Sequence, residues 1–308
     1  MPAVPHADAR AALFAGVACY VLWGLSPLIY QPMGAAGADA WEIMAHRAVW
    51  GVIWAAALVL FARQSTQVKR VLADWKTLRW LLLSTLLIAL NWGLFIWAVN
   101  HGHTLETSLG YYLNPLLNMA LGAWLFRERI SRAGLVAIAL ASAGVILQGV
   151  ALGRLPLISL TLAVSFAAYG VIRKQVKAEA QTGLFVECLL MAPLGLAWLV
   201  WLHLHGAGHF GASPDATFWL LMAGPITVGP LVLFAWAARR LPLSTVGFLQ
   251  FIAPTLSFVI GVAQGEPFTW LRGVSFGFIW LGAAVFLWAA LTQARAARLS
   301  LKSQTGPV

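Results

Sequence analysis

The sequence predicts an all-α integral membrane protein with ten transmembrane helices arranged as two inverted five-helix repeats. Three observations predict it. Apolar runs near 20 residues recur along a 308-residue chain that is 61% hydrophobic and 10% charged. That is the length a helix needs to cross a bilayer, and the composition leaves too little polar surface for a soluble domain. Lys and Arg gather in alternate gaps between these runs, and a pattern of residues recurs at a constant spacing.

The runs lie at roughly 11–30, 42–62, 80–99, 105–126, 133–150, 155–172, 183–203, 216–238, 243–263 and 269–291. The first resembles a secretory signal because Arg10 precedes it and the small residues 34–38 follow it. It is too long and too rich in Trp for one, so it reads as the first span. Seventeen of the 20 Lys and Arg then fall on one side: Arg10; Arg63, Lys69, Arg70, Lys76 and Arg79; Arg127, Arg129 and Arg132; Arg173, Lys174 and Lys177; Arg239 and Arg240; Arg295, Arg298 and Lys302. By the positive-inside rule both termini are cytoplasmic. Scattered in this way, the net charge of +10 serves membrane orientation rather than nucleic-acid binding. Cys19 and Cys188 sit inside apolar runs and read as packing residues.

Adding 139 to a first-half position carries Phe95, Trp97, Pro115, Gly122 and Gly134 onto Phe234, Trp236, Pro254, Gly261 and Gly273. A shift of 146 lays Trp23 and Gly24 over Tyr169 and Gly170. Two halves of five spans each, 11–150 and 155–291, then enter the membrane from opposite sides, between an N-terminal tail 1–10 and a C-terminal tail 292–308. Inverted halves can pack in two nearly equivalent ways, one open to each side.

The fourth span places Tyr111, Asn114, Asn118 and Gly122 on one helical face. The repeat sets Gln250 opposite Tyr111 and Ser257 opposite Asn118. Pro115 and Pro254 lack an N–H and so free the carbonyls of Tyr111 and Gln250. A freed carbonyl must face protein or a wet cavity, and its repetition in both halves favours the cavity. Asn91, beside Trp92, is either interhelical glue or a substrate contact. Pro27, Pro225 and Pro230 mark further kinks, the last aligned with Asn91. Trp23 and Trp92 offer apolar walls or a stacking surface.

Charged residues open alternatives. Glu42 and His46 stand four apart with Arg47 adjacent, giving an interfacial Glu–His pair with a snorkelling arginine, or a gate that binds an anionic group. Glu106 and Glu187 are either solvated near an interface or proton-coupling carboxylates. His203, His205 and His209 are too loosely spaced to hold a metal, and no cofactor motif occurs. Small residues in the fifth span (Gly134, Ala137, Ala141, Gly144) and tenth span (Gly273, Gly277) serve packing between halves or homodimerisation, so the chain is a monomer or a homodimer.

The segments "YVLWGLSPLIYQ", "EIMAHRAVW", "LNWGLFIWAVNHGHTLETSLGYYLNPLLNMALGAWLFRERIS" and "FLQFIAPTLSFVIGV" resemble the RarD branch of the EamA family, in the drug/metabolite transporter superfamily. The resemblance implies the fold of that superfamily, a bacterial inner-membrane location, and export or exchange of small organic molecules. Its third, fourth, eighth and ninth helices would line a central cavity. Chloramphenicol-type or amino-acid-like solutes are the substrates it brings to mind. Small multidrug-resistance relatives exchange protons on a first-helix glutamate, and the first span here has no carboxylate. The function expected is secondary-active transport by alternating access, without catalytic residues. An intramembrane enzyme or a non-transporting scaffold are the alternatives.

Overall fold

Helix is the only structure open to a chain whose long apolar stretches must bury their own backbone hydrogen bonds. The computed structural model describes residues 6–126, 131–238, 240–241, 245–246 and 249–304, and among them finds helices and no strand. In chain order these are α1 (His6–Gly24), α2 (Pro27–Ala35), α3 (Ala40–Phe61), α4 (Ser65–Ala73), α5 (Trp75–Asn100) and α6 (Thr104–Phe126). They continue with α7 (Arg132–Leu152), α8 (Leu157–Gln175), α9 (Ala180–Leu204), α10 (Pro214–Ala238), α11 (Ile252–Ala263) and α12 (Trp270–Gln304). Among the described residues seven stretches are long and apolar enough to cross a membrane, and α11 and most of α8 are shorter apolar helices.

The bundle is apolar on the outside. Leu86, Leu90, Ile146, Val164, Leu194 and Val259 are exposed, a surface suited to acyl chains and prone to aggregate in water. Polar and charged side chains go inward instead: Glu42, His46, Arg47, Asn91, Glu106 and Glu187 are all buried. Helix α3 packs along α9 and α10, α6 along α8 and α11, α5 along α8, and α12 along α7.

Four features depart from the sequence reading. The first span is two helices, because Pro27 restarts the chain after a turn at Leu25 and Ser26; the Ser26 hydroxyl donates to the Trp23 carbonyl at 2.6 Å, taking up an acceptor left at the break. The basic segment after α3 folds as the amphipathic α4, burying Val68 and Val71 while Lys69 and Arg70 face out. A break or a bend is expected at Pro225 and Pro230, and α10 runs through both without a break. In the ninth span the interruption lies at Gln250 and Phe251, so Pro254 sits in the first turn of α11, where its missing N–H has no helical acceptor to lose. Pro115 instead lies inside the unbroken α6. The two prolines match in sequence but act differently.

The small face of the fifth span packs against the tenth, which meets it through Ser275, Ile279 and Gly282 rather than through Gly273 and Gly277. Gly144 is indispensable there: a β-carbon on it would stand 2.8 Å from the Ser275 carbonyl and 2.6 Å from Ile279, while the Ser275 hydroxyl donates to the Gly144 carbonyl at 2.7 Å. Gly144→Ala is expected to destabilise by about 2 kcal/mol through overpacking, whereas Gly277→Ala, which meets open space, should stay within about 0.5 kcal/mol of wild type. Thermal melts of the two variants in detergent check the contrast.

Candidate functional site

Arg47 is the eighth residue of α3, about 10 Å along the helix axis from its start. Asp39 caps that start by accepting the Glu42 N–H at 2.7 Å, and every residue from Glu42 to Ala48 is buried. The arginine therefore lies inside the bundle and does not snorkel to its surface. It is 8% exposed, its Nη1 donates to the Tyr30 hydroxyl of α2, and its guanidinium lies 3.7 Å from the centre of the Trp92 ring of α5. Its Nε is buried without a partner, and among the described residues no carboxylate pairs with it. A desolvated cation–π contact contributes about 2 kcal/mol and a charged hydrogen bond about 1.5–3 kcal/mol, but neither cancels the charge.

The expected Glu42–His46 pair is also replaced. Glu42 accepts from both the backbone N–H and Nδ1 of His209, each at 2.7 Å, fastening the α9–α10 loop over the start of α3. His46 Nδ1 instead accepts from the Trp50 indole at 3.0 Å, and Phe210 packs against both rings. Of the histidine tract, His209 thus works through a carboxylate.

Asn91 is fully buried and fully engaged. Its Nδ2 donates to the Leu162 carbonyl at 2.8 Å and to the Ser165 hydroxyl at 2.9 Å on α8, and its Oδ1 accepts from the Tyr111 hydroxyl at 3.0 Å. It is a clasp between helices that also aims Tyr111. Phe95 joins this clasp to the arginine, with ring centres 6.2 Å from Tyr30 and 5.7 Å from Tyr111. Asn114, one turn further along α6, buries an Oδ1 without a partner. Asn118 lies on α6 with its side chain outside the described residues.

The remaining predicted residues form a second group. Trp23 packs on Tyr20 and Phe234, with ring centres 5.3 and 5.9 Å away, and Gln250 faces the Tyr20 hydroxyl. Ser257 donates to the Gly24 carbonyl at 3.3 Å and closes the seam between α1 and α11. An apolar groove lined by Leu87, Leu90, Thr161 and Val164 lies elsewhere, on the exposed surface between α5 and α8.

Both candidate coupling carboxylates are buried, contrary to the solvated alternative. Glu187 accepts from Ser84 at 2.7 Å and Tyr169 at 3.2 Å, with Arg173 Nε at 3.7 Å. The Arg173 guanidinium lies where any side chain on Gly183 would stand, so this glycine makes the ion pair possible. Glu106 pairs with Arg154 at 2.6 Å and His103 at 3.2 Å. Nearby, Glu266 accepts the N–H groups of Thr104 and Leu105 at the start of α6, where the helix dipole favours an anion. Gln31 and Gln264 exchange hydrogen bonds at 2.9 and 2.8 Å. Sequence reasoning missed Tyr30, Gln31, Ser84, Glu266 and the pairing of Arg173. Tyr30 and Gln31 stood inside the conspicuous "YVLWGLSPLIYQ" block, but Glu266 carried no such signal.

Because Glu187 and Arg173 are both largely withdrawn from solvent, Arg173→Met is expected to destabilise the protein by about 3 kcal/mol by stranding a buried charge. Adding Glu187→Gln should recover most of that loss. A double-mutant cycle of detergent melts reads the coupling.

The EamA-like transporter family model matches residues 10–149 and again 155–288. Protein RarD of Salmonella typhi is 42% identical over 284 residues, covering 92% of this chain and 96% of that protein. An uncharacterized transporter of Vibrio cholerae is 38% identical over 293 residues, covering 94% and 96%. A solved crystal structure aligns with a TM-score of 0.61 at 20% identity, over 92% of this chain and 99% of that one, and shares its fold. Fold and relatives together define a class, the multi-pass membrane transporters. The chain belongs to the EamA-like transporter family, in its RarD branch within the drug/metabolite transporter superfamily.

Proposed function

We propose that this protein is a secondary-active transporter of small organic solutes, working by alternating access in a bacterial inner membrane with both termini cytoplasmic. The observation that carries the reading is the cluster of Arg47, Tyr30, Trp92, Asn91 and Tyr111, contributed by α2, α3, α5 and α6 within a bundle whose outer surface is apolar. Polar and charged groups inside a membrane protein are costly, and they mark solute pathways. The two successive matches to one family model support two related five-helix halves.

Alternating access requires contacts at each end that can break. At one end Glu266 caps α6, Gln31 pairs with Gln264, and Glu42 holds His209. At the other end Gln64 bonds to Gln181 at 3.2 Å and Thr182 at 2.9 Å, beside the Glu187–Arg173 pair. Each neutral bond contributes about 1 kcal/mol net and each charged one about 1.5–3 kcal/mol, so either set can open at moderate cost while the other stays shut. On this reading Tyr111, Asn114, Asn118, Gln250 and Ser257 face the solute during the cycle, Asn91 positions Tyr111, and Glu106 and Glu187 belong to the gates.

Counterflow in liposomes containing the purified protein tests the proposal, with a metabolite panel that includes amphenicols and amino acids. The wild type is expected to exchange at least one solute, and Tyr111→Phe combined with Gln250→Leu to slow that exchange about tenfold or more. Unchanged exchange in the double variant would remove the site assignment, and no exchange across the panel would favour a scaffold.

A further inference from the structure

The transporter reading leaves open what kind of solute the buried cluster accepts. We propose that Arg47 receives the carboxylate of the transported solute, so that the substrates are small organic monocarboxylates with an apolar or flat body. The inference rests on the transporter reading for its cargo and on the arginine for its chemistry.

The guanidinium has a spent side and a free side. Nη1 donates to Tyr30 and one face is covered by Trp92. Nε is buried without a partner, and among the described residues Nη2 makes no hydrogen bond either. Two N–H groups on one edge of a guanidinium are parallel, and they match the two oxygens of a carboxylate. A single positive charge balances one negative charge, so a monoanion leaves nothing uncompensated and a dianion would bury excess charge. The surrounding walls are Trp92, Phe95 and Tyr111, which suit an apolar remainder and offer little to a strongly hydrated one.

The second half of the chain makes the missing partner conspicuous. Glu187 is the eighth residue of α9, as Arg47 is the eighth of α3, and the two numbers differ by 140, within one residue of the repeat spacing. Each ion also contacts a tyrosine from the preceding membrane segment, Tyr30 for Arg47 and Tyr169 for Glu187. Glu187 has an opposite charge 3.7 Å away in Arg173. Arg47, in the equivalent place, has none among the described residues. A counter-charge absent among the described residues is one the solute brings.

Matched pairs of acids and their primary amides test this: benzoate with benzamide, 3-phenylpropanoate with 3-phenylpropanamide, and hexanoate with hexanamide, titrated into the full-length protein in detergent. Thermal stabilisation reads the affinities. Acids are expected to bind the wild type about tenfold or more tightly than their amides, and Arg47→Gln to abolish that preference. Equal binding of acid and amide, no binding of any acid, or a preference that survives Arg47→Gln would each overturn the proposal. If Arg47→Gln does not run as a single species on size exclusion, Arg47→Lys carries the test. It keeps the charge and loses the fork, so the acid preference should persist with acid affinity reduced about fivefold; undiminished affinity overturns the role of the fork. Acid binding without liposome exchange would count against transport alone, and exchange of solutes indifferent to the carboxylate would count against this proposal alone.

Discussion

A lipid bilayer supplies no hydrogen-bond partner, and every other feature of this protein follows from that constraint. It makes helix the only economical backbone for the apolar runs. It also dictates how the chain treats exceptions. Where the first span breaks before Pro27, a serine hydroxyl folds back onto a carbonyl of α1. Where the Pro254 carbonyl lies within reach of a neighbour, the Ser108 hydroxyl of α6 donates to it at 2.7 Å. Asn91 spends both amide hydrogens on α8. Arg47 stands out because the same rule is left unfinished there.

The constraint also separates packing from recognition. Close helix contacts depend on small residues and backbone carbonyls, as at Gly144 against Ser275. They need no specific chemistry. The polar clusters are fewer and contain side chains from several helices at once, so moving one helix changes more than one bond. Asn91 illustrates this coupling: sliding α8 would release the amide that aims Tyr111. A helix displacement and a change in the Asn91–Tyr111 cluster are therefore one event.

Much of the fold was legible from periodicity and charge, because a span of about 20 apolar residues has few alternatives. Proline was harder to read. Pro27 opens α2, Pro115 and Pro230 lie inside α6 and α10, and Pro254 sits in the first turn of α11, since the outcome depends on neighbours that sequence does not show. The site was legible in part. Tyr111, Asn91 and Trp92 do meet, yet the residue at the centre, Arg47, looked interfacial because it stands near a span end in sequence. Its depth comes from α3 beginning at Ala40 and from the His209 loop being drawn down by Glu42. Glu266 was invisible because its role is set by a helix more than 150 residues away.

The paired amides of Gln31 and Gln264 have a consequence for energetics across the membrane. Each side chain donates and accepts in the same exchange, so the contact carries no net charge. Its strength is unchanged by proton concentration, and a transmembrane voltage performs no work when it parts. A neutral clasp of this kind cannot sense the electrochemical gradient. In the proposed cycle a driving gradient acts through the ionised groups, and the glutamines open and close as passive followers.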